Sequence, residues 1–200
     1  MKSGFRTFVI CILAVILNFF TAFVCCSKLH FPLFLDTIFT VAVLFYCGLF
    51  PAVLVQVSYN IINSLVWTYN TGFFDVCILM YTVCGMLIVF SSWIIARRKE
   101  EFEISLSVTL LYLLLIAMIS SACSVIAGGV IDYFHLMYYD IPDKVNPIKK
   151  FTEGFVRQEY GLFVSCIVAQ IPVSFADRIV STFAGYGVFK IMNCTLGRNL

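Results

Sequence analysis

The sequence predicts an all-α membrane protein: one bundle of six transmembrane helices with both termini in the cytoplasm. Three observations predict it. Of 200 residues, 62% are hydrophobic and only 12% charged, against about one half and one quarter in a soluble chain. Mean hydropathy is +0.99. The apolar residues fall into runs punctuated by Pro, Gly and charge clusters. A helical span takes about 20 residues, so the length holds roughly six spans and one sizeable loop. This excludes a large extramembrane enzyme domain. A net charge of +2 with scattered Lys and Arg excludes a nucleic-acid surface, which needs a basic patch.

The first span runs from about Phe5 to Cys26. Cys25-Cys26-Ser27 is a poor small-x-small cleavage site and the run is long for a signal-peptide core, so it reads as an uncleaved helix. The span stops at Ser27-Lys28-Leu29-His30, and Pro32 suits the first turn of a second span, about Leu33 to Cys47. Gly48-Leu49-Phe50-Pro51 is a tight turn, Pro51 opens the third span (Ala52 to Tyr69), and Asn70-Thr71-Gly72 breaks it. The fourth span, Phe73 to Ala96, ends in the charge run Arg97-Arg98-Lys99-Glu100-Glu101. The fifth covers about Ile104 to Val130. Residues 131–159, polar and carrying Pro142, Pro147 and Gly154, read as an external loop. Residues 160–171 are apolar again, and Pro172 opens a last span to Met192. Such a run exceeds what a bilayer requires. A break near Pro172, with 160–171 re-entrant, is the expectation; one long kinked helix is the alternative.

Lys2, Arg6, Arg97, Arg98, Lys99, Lys190 and Arg198 would share one side, close to helix ends. Lys28 and the loop residues Lys144, Lys149, Lys150 and Arg157 would share the other. Short-loop Lys and Arg mark the cytoplasmic side, which places both termini inside and the long loop outside.

Catalytic and metal signatures are missing. Nine cysteines include no C-x-x-C pair, so they read as small apolar filler rather than disulfides or a zinc site. His30 and His135 sit at the expected outer boundary, as solvated interface residues, outside any H-E-x-x-H. No G-x-S-x-G or GxxxxGK[ST] occurs, so these residues form no catalytic site and hydrolyse no ATP. No cofactor is expected.

The polar residues inside spans are the informative ones, because an ionisable group in a membrane is costly and suggests function. Asp36 lies about one turn into the second span. On the third, Gln56, Asn60, Asn63 and Trp67 recur at steps of four, three and four, which puts them on one helix face. Asp75 begins the fourth span, where it reads as an N-terminal cap. Asp132 follows the fifth, and Asp177 with Arg178 lies below the outer end of the last. Their common depth points to an external-facing small-molecule cavity; caps and interhelical hydrogen bonds are the plain alternative. Two small-residue stripes also stand out: Ala14, Asn18, Ala22 and Cys26 on the first span, and Ser120, Ser124 and Gly128 on the fifth. Such stripes let helices approach closely. The fifth-span stripe reads as internal packing. For the first-span stripe, internal packing and docking to another membrane protein both stay open.

Four segments carry a resemblance. Leu29-His-Phe-Pro-Leu-Phe-Leu-Asp36-Thr-Ile-Phe-Thr resembles the "lPlfLDtigT" at the start of helix 2 in substrate-specificity (S) components of energy-coupling factor (ECF) transporters. Gly48-Leu-Phe-Pro-Ala-Val-Leu-Val-Gln-Val-Ser-Tyr-Asn60-Ile-Ile-Asn63 is similar to that family's "Gp..G.lvgl..nli". Ile171-Pro-Val-Ser-Phe-Ala-Asp177-Arg178-Ile-Val-Ser181, continuing to Lys190, resembles "iP.n..DKiiSv..ay.i.K", and Ala14-Val-Ile-Leu-Asn18 resembles "A..lN". Their order along the chain is the family's. The resemblance implies a six-helix solute-binding subunit in the bacterial cytoplasmic membrane that takes up a vitamin-like or other micronutrient molecule from outside. Its implied partners are a transmembrane coupling protein and two ATPase subunits. Asn18 interrupts the family's alanine-rich docking stripe between Ala14 and Ala22, and Val57 and Ser58 replace its helix 3 glycines. Related modules serve as ligand sensors, so a sensing module that does not transport is the alternative.

Overall fold

The protein is described by a computed structural model over residues 2–25, 33–97, 104–138 and 148–197. Among the described residues every regular element is helical: α1 (Lys2–Phe23), α2 (Ile38–Cys47), α3 (Leu49–Thr71), α4 (Val76–Ala96), α5 (Leu106–Tyr138), α6 (Lys149–Val156) and α7 (Leu162–Leu196). Five of these, all but α2 and α6, are long and apolar enough to cross a membrane. The chain is a multi-pass membrane protein. Exposed apolar side chains such as Phe8, Ile12, Leu65, Leu111 and Ile191 have the character of a lipid-facing surface.

Several boundaries match their punctuation. Gly48 and Gly72 flank α3 with φ of +92° and +70°, a backbone region open to Gly without a Cβ penalty. Pro51 sits in the first turn of α3, where its missing N–H costs little. Asp75 caps α4, accepting the Cys77 N–H at 2.8 Å.

Three elements differ from expectation. The second span starts at Ile38 rather than Leu33: residues 33–37 are non-helical, and Leu35 has a φ of +45°. At ten residues, α2 is about 15 Å long, half a bilayer core. The fifth helix runs through the start of the expected loop to Tyr138, because Ile131, Asp132 and His135 are buried against neighbouring helices. The last helix is continuous for 35 residues with Pro172 inside it, so 160–171 is not a separate re-entrant piece. Pro172 removes one intrahelical hydrogen bond. Its neighbours Ala169 and Val173 pack on Ile148 at the start of α6 and Phe155 within it, which holds this part of α7 in place. Cys26, the stop expected at residues 27–30, the turn at Pro32, the charge run at residues 98–101 and loop residues 139–147 lie outside the described residues.

The dry core occupies the end of the bundle marked by Gly48 and Arg97. There Ala14, Val43, Ala52, Val55 and Val89 form one cluster. At that end the Arg6 guanidinium donates to the Tyr46 hydroxyl and the Leu196 carbonyl, and Tyr46 donates to the Gly197 carbonyl at 2.9 Å. These bonds tie α1, α2 and α7 together and close that end.

Glycine permits the closest helix approaches. A Cβ on Gly185 of α7 would lie 2.7 Å from the Ile38 carbonyl oxygen and 2.9 Å from Val41, both on α2. Backbone cannot yield as a flexible side chain can. Gly185→Ala should therefore cost about 1–3 kcal/mol through overpacking, read as a lower unfolding temperature in detergent.

Candidate functional site

At the opposite end, marked by Gly72 and Asp75, the bundle forms a half-open cavity of about 440 Å³. This falls within the roughly 300–1,000 Å³ of small-molecule sites. α1 contributes Phe19, Ala22 and Phe23 to its wall, and the 33–37 segment contributes Phe34, Asp36 and Thr37. α3 lays its polar stripe along one side: Gln56, Asn60, Asn63, Trp67 and Asn70. Tyr81 and Gly85 come from α4, Ser124, Gly128 and His135 from α5, and Gln170 and Arg178 from α7. Every long helix reaches it.

Of the six residues expected to bind a solute, five border this cavity: Asp36, Asn60, Asn63, Trp67 and Arg178. Asp177 does not; it is fully buried one layer behind the wall. Its carboxylate accepts the Leu35 N–H at 2.8 Å and a bond from the Arg178 guanidinium. Arg178 also donates to the Thr37 hydroxyl at 2.8 Å and lies 3.6 Å from the Asp36 carboxylate. Adjacent side chains on a helix normally diverge. Here both reach the 33–37 segment, and these bonds hold that segment in a non-helical conformation where a helix was expected. Asp177 therefore positions the wall rather than forming it.

The first-span stripe also faces inward. Ala14 belongs to the dry core, Ala22 borders the cavity, and Asn18 is fully buried between α1 and α2. The Asn18 carbonyl accepts the Phe39 N–H at 3.0 Å, and its amide donates to the Thr40 hydroxyl at 2.8 Å. The Phe39 N–H is one of the orphan donors of the first turn of α2. Thr37, at the N-cap position, makes no side-chain cap bond, so α1 caps α2 from across the bundle. Thr40 passes the chain on to the Gln56 carbonyl oxygen at 3.1 Å. These placements make the stripe internal packing, and α1 turns Phe8, Ile12, Ile16 and Phe20 outward instead.

Several wall residues carried weaker sequence signals. Gln56 belongs to the α3 stripe and lies against Gly85, where a Cβ would come within 2.4 Å of its amide nitrogen. Asp132 is buried inside α5; it accepts the Tyr81 hydroxyl and, at 2.6 Å, the Gln170 amide. Ser174 donates to the Gln170 carbonyl oxygen at 3.0 Å. His135, expected to be solvated, is buried 2.5 Å from the Asp75 carboxylate, so Asp75 both caps α4 and holds His135. Ser124 and Gly128 of the fifth-span stripe are wall residues, and the missing side chain of Gly128 leaves room for Gln170. A Gln within an apolar run and a Gly four residues beyond Tyr81 were the available signals.

Among the described residues no group of His, Cys, Asp and Glu is arranged to hold a metal ion. The arrangement offers amide donors and acceptors, aromatic faces and a charged cluster around a half-open space. Those features suit binding. No known protein family, curated protein or solved structure matches the chain.

Proposed function

We propose that this protein is the solute-binding (S) subunit of an ECF-type importer in a bacterial cytoplasmic membrane. It captures a vitamin-like or other micronutrient molecule from outside. The observation that carries this reading is the cavity of about 440 Å³ walled by the α3 stripe Gln56, Asn60, Asn63 and Trp67 together with Asp36 and Arg178. These polar groups sit at one end of a bundle whose other end is dry and tied shut. A polar cavity in an otherwise apolar membrane protein requires a reason, since helix–helix contact needs only small side chains and a few hydrogen bonds.

In this reading α2 and its non-helical lead-in complete a six-element membrane bundle with α1, α3, α4, α5 and α7. Both termini are cytoplasmic, as the positive charges near Arg6, Arg97 and Lys190 favour, and the cavity faces outside. The coupling protein and two ATPase subunits come from the family resemblance. They supply the energy that this chain, with no nucleotide-binding loop, lacks.

Mass spectrometry of small molecules released from the purified protein tests the proposal. One compound is expected at close to one per chain, and it should be lost from Asn63→Ala and Trp67→Ala proteins that remain folded. A parent protein that carries nothing and binds no solute from a cell extract would contradict it.

A further inference from the structure

We propose that the cavity selects a positively charged organic solute, a flat aromatic or heterocyclic amine whose cationic nitrogen sits at Asp36 and whose uncharged acceptor atom meets Arg178. This rests on the solute-binding reading above and names its substrate class.

The charge arithmetic at the wall carries the inference. Two carboxylates, Asp177 and Asp36, share one guanidinium. Asp177 is fully buried and hydrogen-bonded to Arg178, so it takes most of that charge. Asp36 reaches Arg178 only at 3.6 Å, beyond hydrogen-bond length, and its side chain keeps 22% of its exposure on the cavity wall. The trio therefore holds one negative charge in excess, at the place where a solute would sit. An anion would add a third acid around one Arg, in surroundings where like charges interact strongly. A cation completes the set.

The remaining wall agrees. Phe19, Phe34, Trp67 and Tyr81 border the same space, and aromatic faces attract organic cations. Among the described residues His135 is the other basic group on the wall, and the Asp75 carboxylate at 2.5 Å already holds it. Arg178 is 4% exposed, and its Nε has no hydrogen-bond partner among the described residues. A buried donor of this kind calls for an acceptor, which a ring nitrogen or carbonyl oxygen of the solute supplies. The Asn60 and Asn63 amides donate and accept alike, so they set orientation and not charge.

Three probes of one size test the assignment on the purified parent protein: 2-naphthylmethylammonium, 2-naphthylmethanol and 2-naphthoate. Affinities are read from tryptophan fluorescence and thermal stabilisation at neutral pH. The ammonium compound should bind at least about tenfold more tightly than the alcohol, with the naphthoate weakest, and Asp36→Asn should erase the difference between the first two. Should Asp36→Asn fail to fold, the order measured on the parent decides alone. Preferential binding of the alcohol or the naphthoate overturns the charge assignment while leaving solute binding intact. If no probe binds, the charge of the molecule retained by the purified protein decides: a cation supports the assignment, and a neutral or anionic compound overturns it. A protein that binds no probe and retains no molecule overturns both readings.

Discussion

Arg178→Gln is expected to destabilise the protein by about 3–5 kcal/mol, the typical cost of stripping one partner from a buried ion pair. The reason is what it leaves behind. Asp177 is fully buried, and without the guanidinium its carboxylate keeps only the Leu35 N–H among its hydrogen bonds described above. Thr37 loses its donor as well, so the 33–37 segment is released from α7 and the cavity loses a wall. The unfolding temperature in detergent should fall by on the order of 10 °C. The double variant Asp177→Asn/Arg178→Gln should recover much of that loss, because removing a whole buried pair is often close to neutral. If the single variant is as stable as the parent, the 33–37 segment is held by something other than this pair.

The second large effect is on binding. Asn63→Ala and Trp67→Ala should each weaken solute affinity by roughly 1–3 kcal/mol, about 5- to 150-fold, through a lost hydrogen bond or stacking surface. Both side chains are half-buried on the cavity wall, so neither truncation opens the dry core, and unfolding temperatures should stay near the parent value. Their combination should abolish detectable binding. Equal loss of binding and stability would instead make the α3 stripe a packing surface.

How far the sequence anticipates this molecule depends on the range of the forces involved. α3 and α4 end within a few residues of their expected limits, since Gly48, Gly72 and Asp75 act locally. The α3 stripe reaches one cavity because helical spacing alone puts Gln56, Asn60, Asn63 and Trp67 on one face. The start of α2 was not legible in this way. Its lead-in is held by bonds from Asp177 and Arg178, over 140 residues away in the chain, and a local reading sees only Pro32 and an apolar run. The same holds for the far end of α5. Asp132 and His135 look like loop residues until Tyr81, Gln170 and Asp75 are placed around them. Asn18 shows an ambiguity of another kind: its spacing with Ala14 and Ala22 left internal packing and docking equally open, and its side-chain oxygen caps a neighbouring helix. A hydrogen-bonding residue amid small ones is ambiguous until its partner is known.

The most direct measurement uses the two tryptophans. Trp67 borders the cavity, whereas Trp93 lies near the opposite end of α4 with Arg97 over its ring at 5.6 Å. In a Trp93→Phe protein all tryptophan emission comes from Trp67. Titrating that protein with the compound released from the parent should change the emission saturably, at one compound per chain, and Asn63→Ala in the same background should shift the midpoint by about 5- to 150-fold. A compound that binds at one per chain while the Trp67 emission stays flat would place the solute elsewhere and contradict the cavity as the binding site.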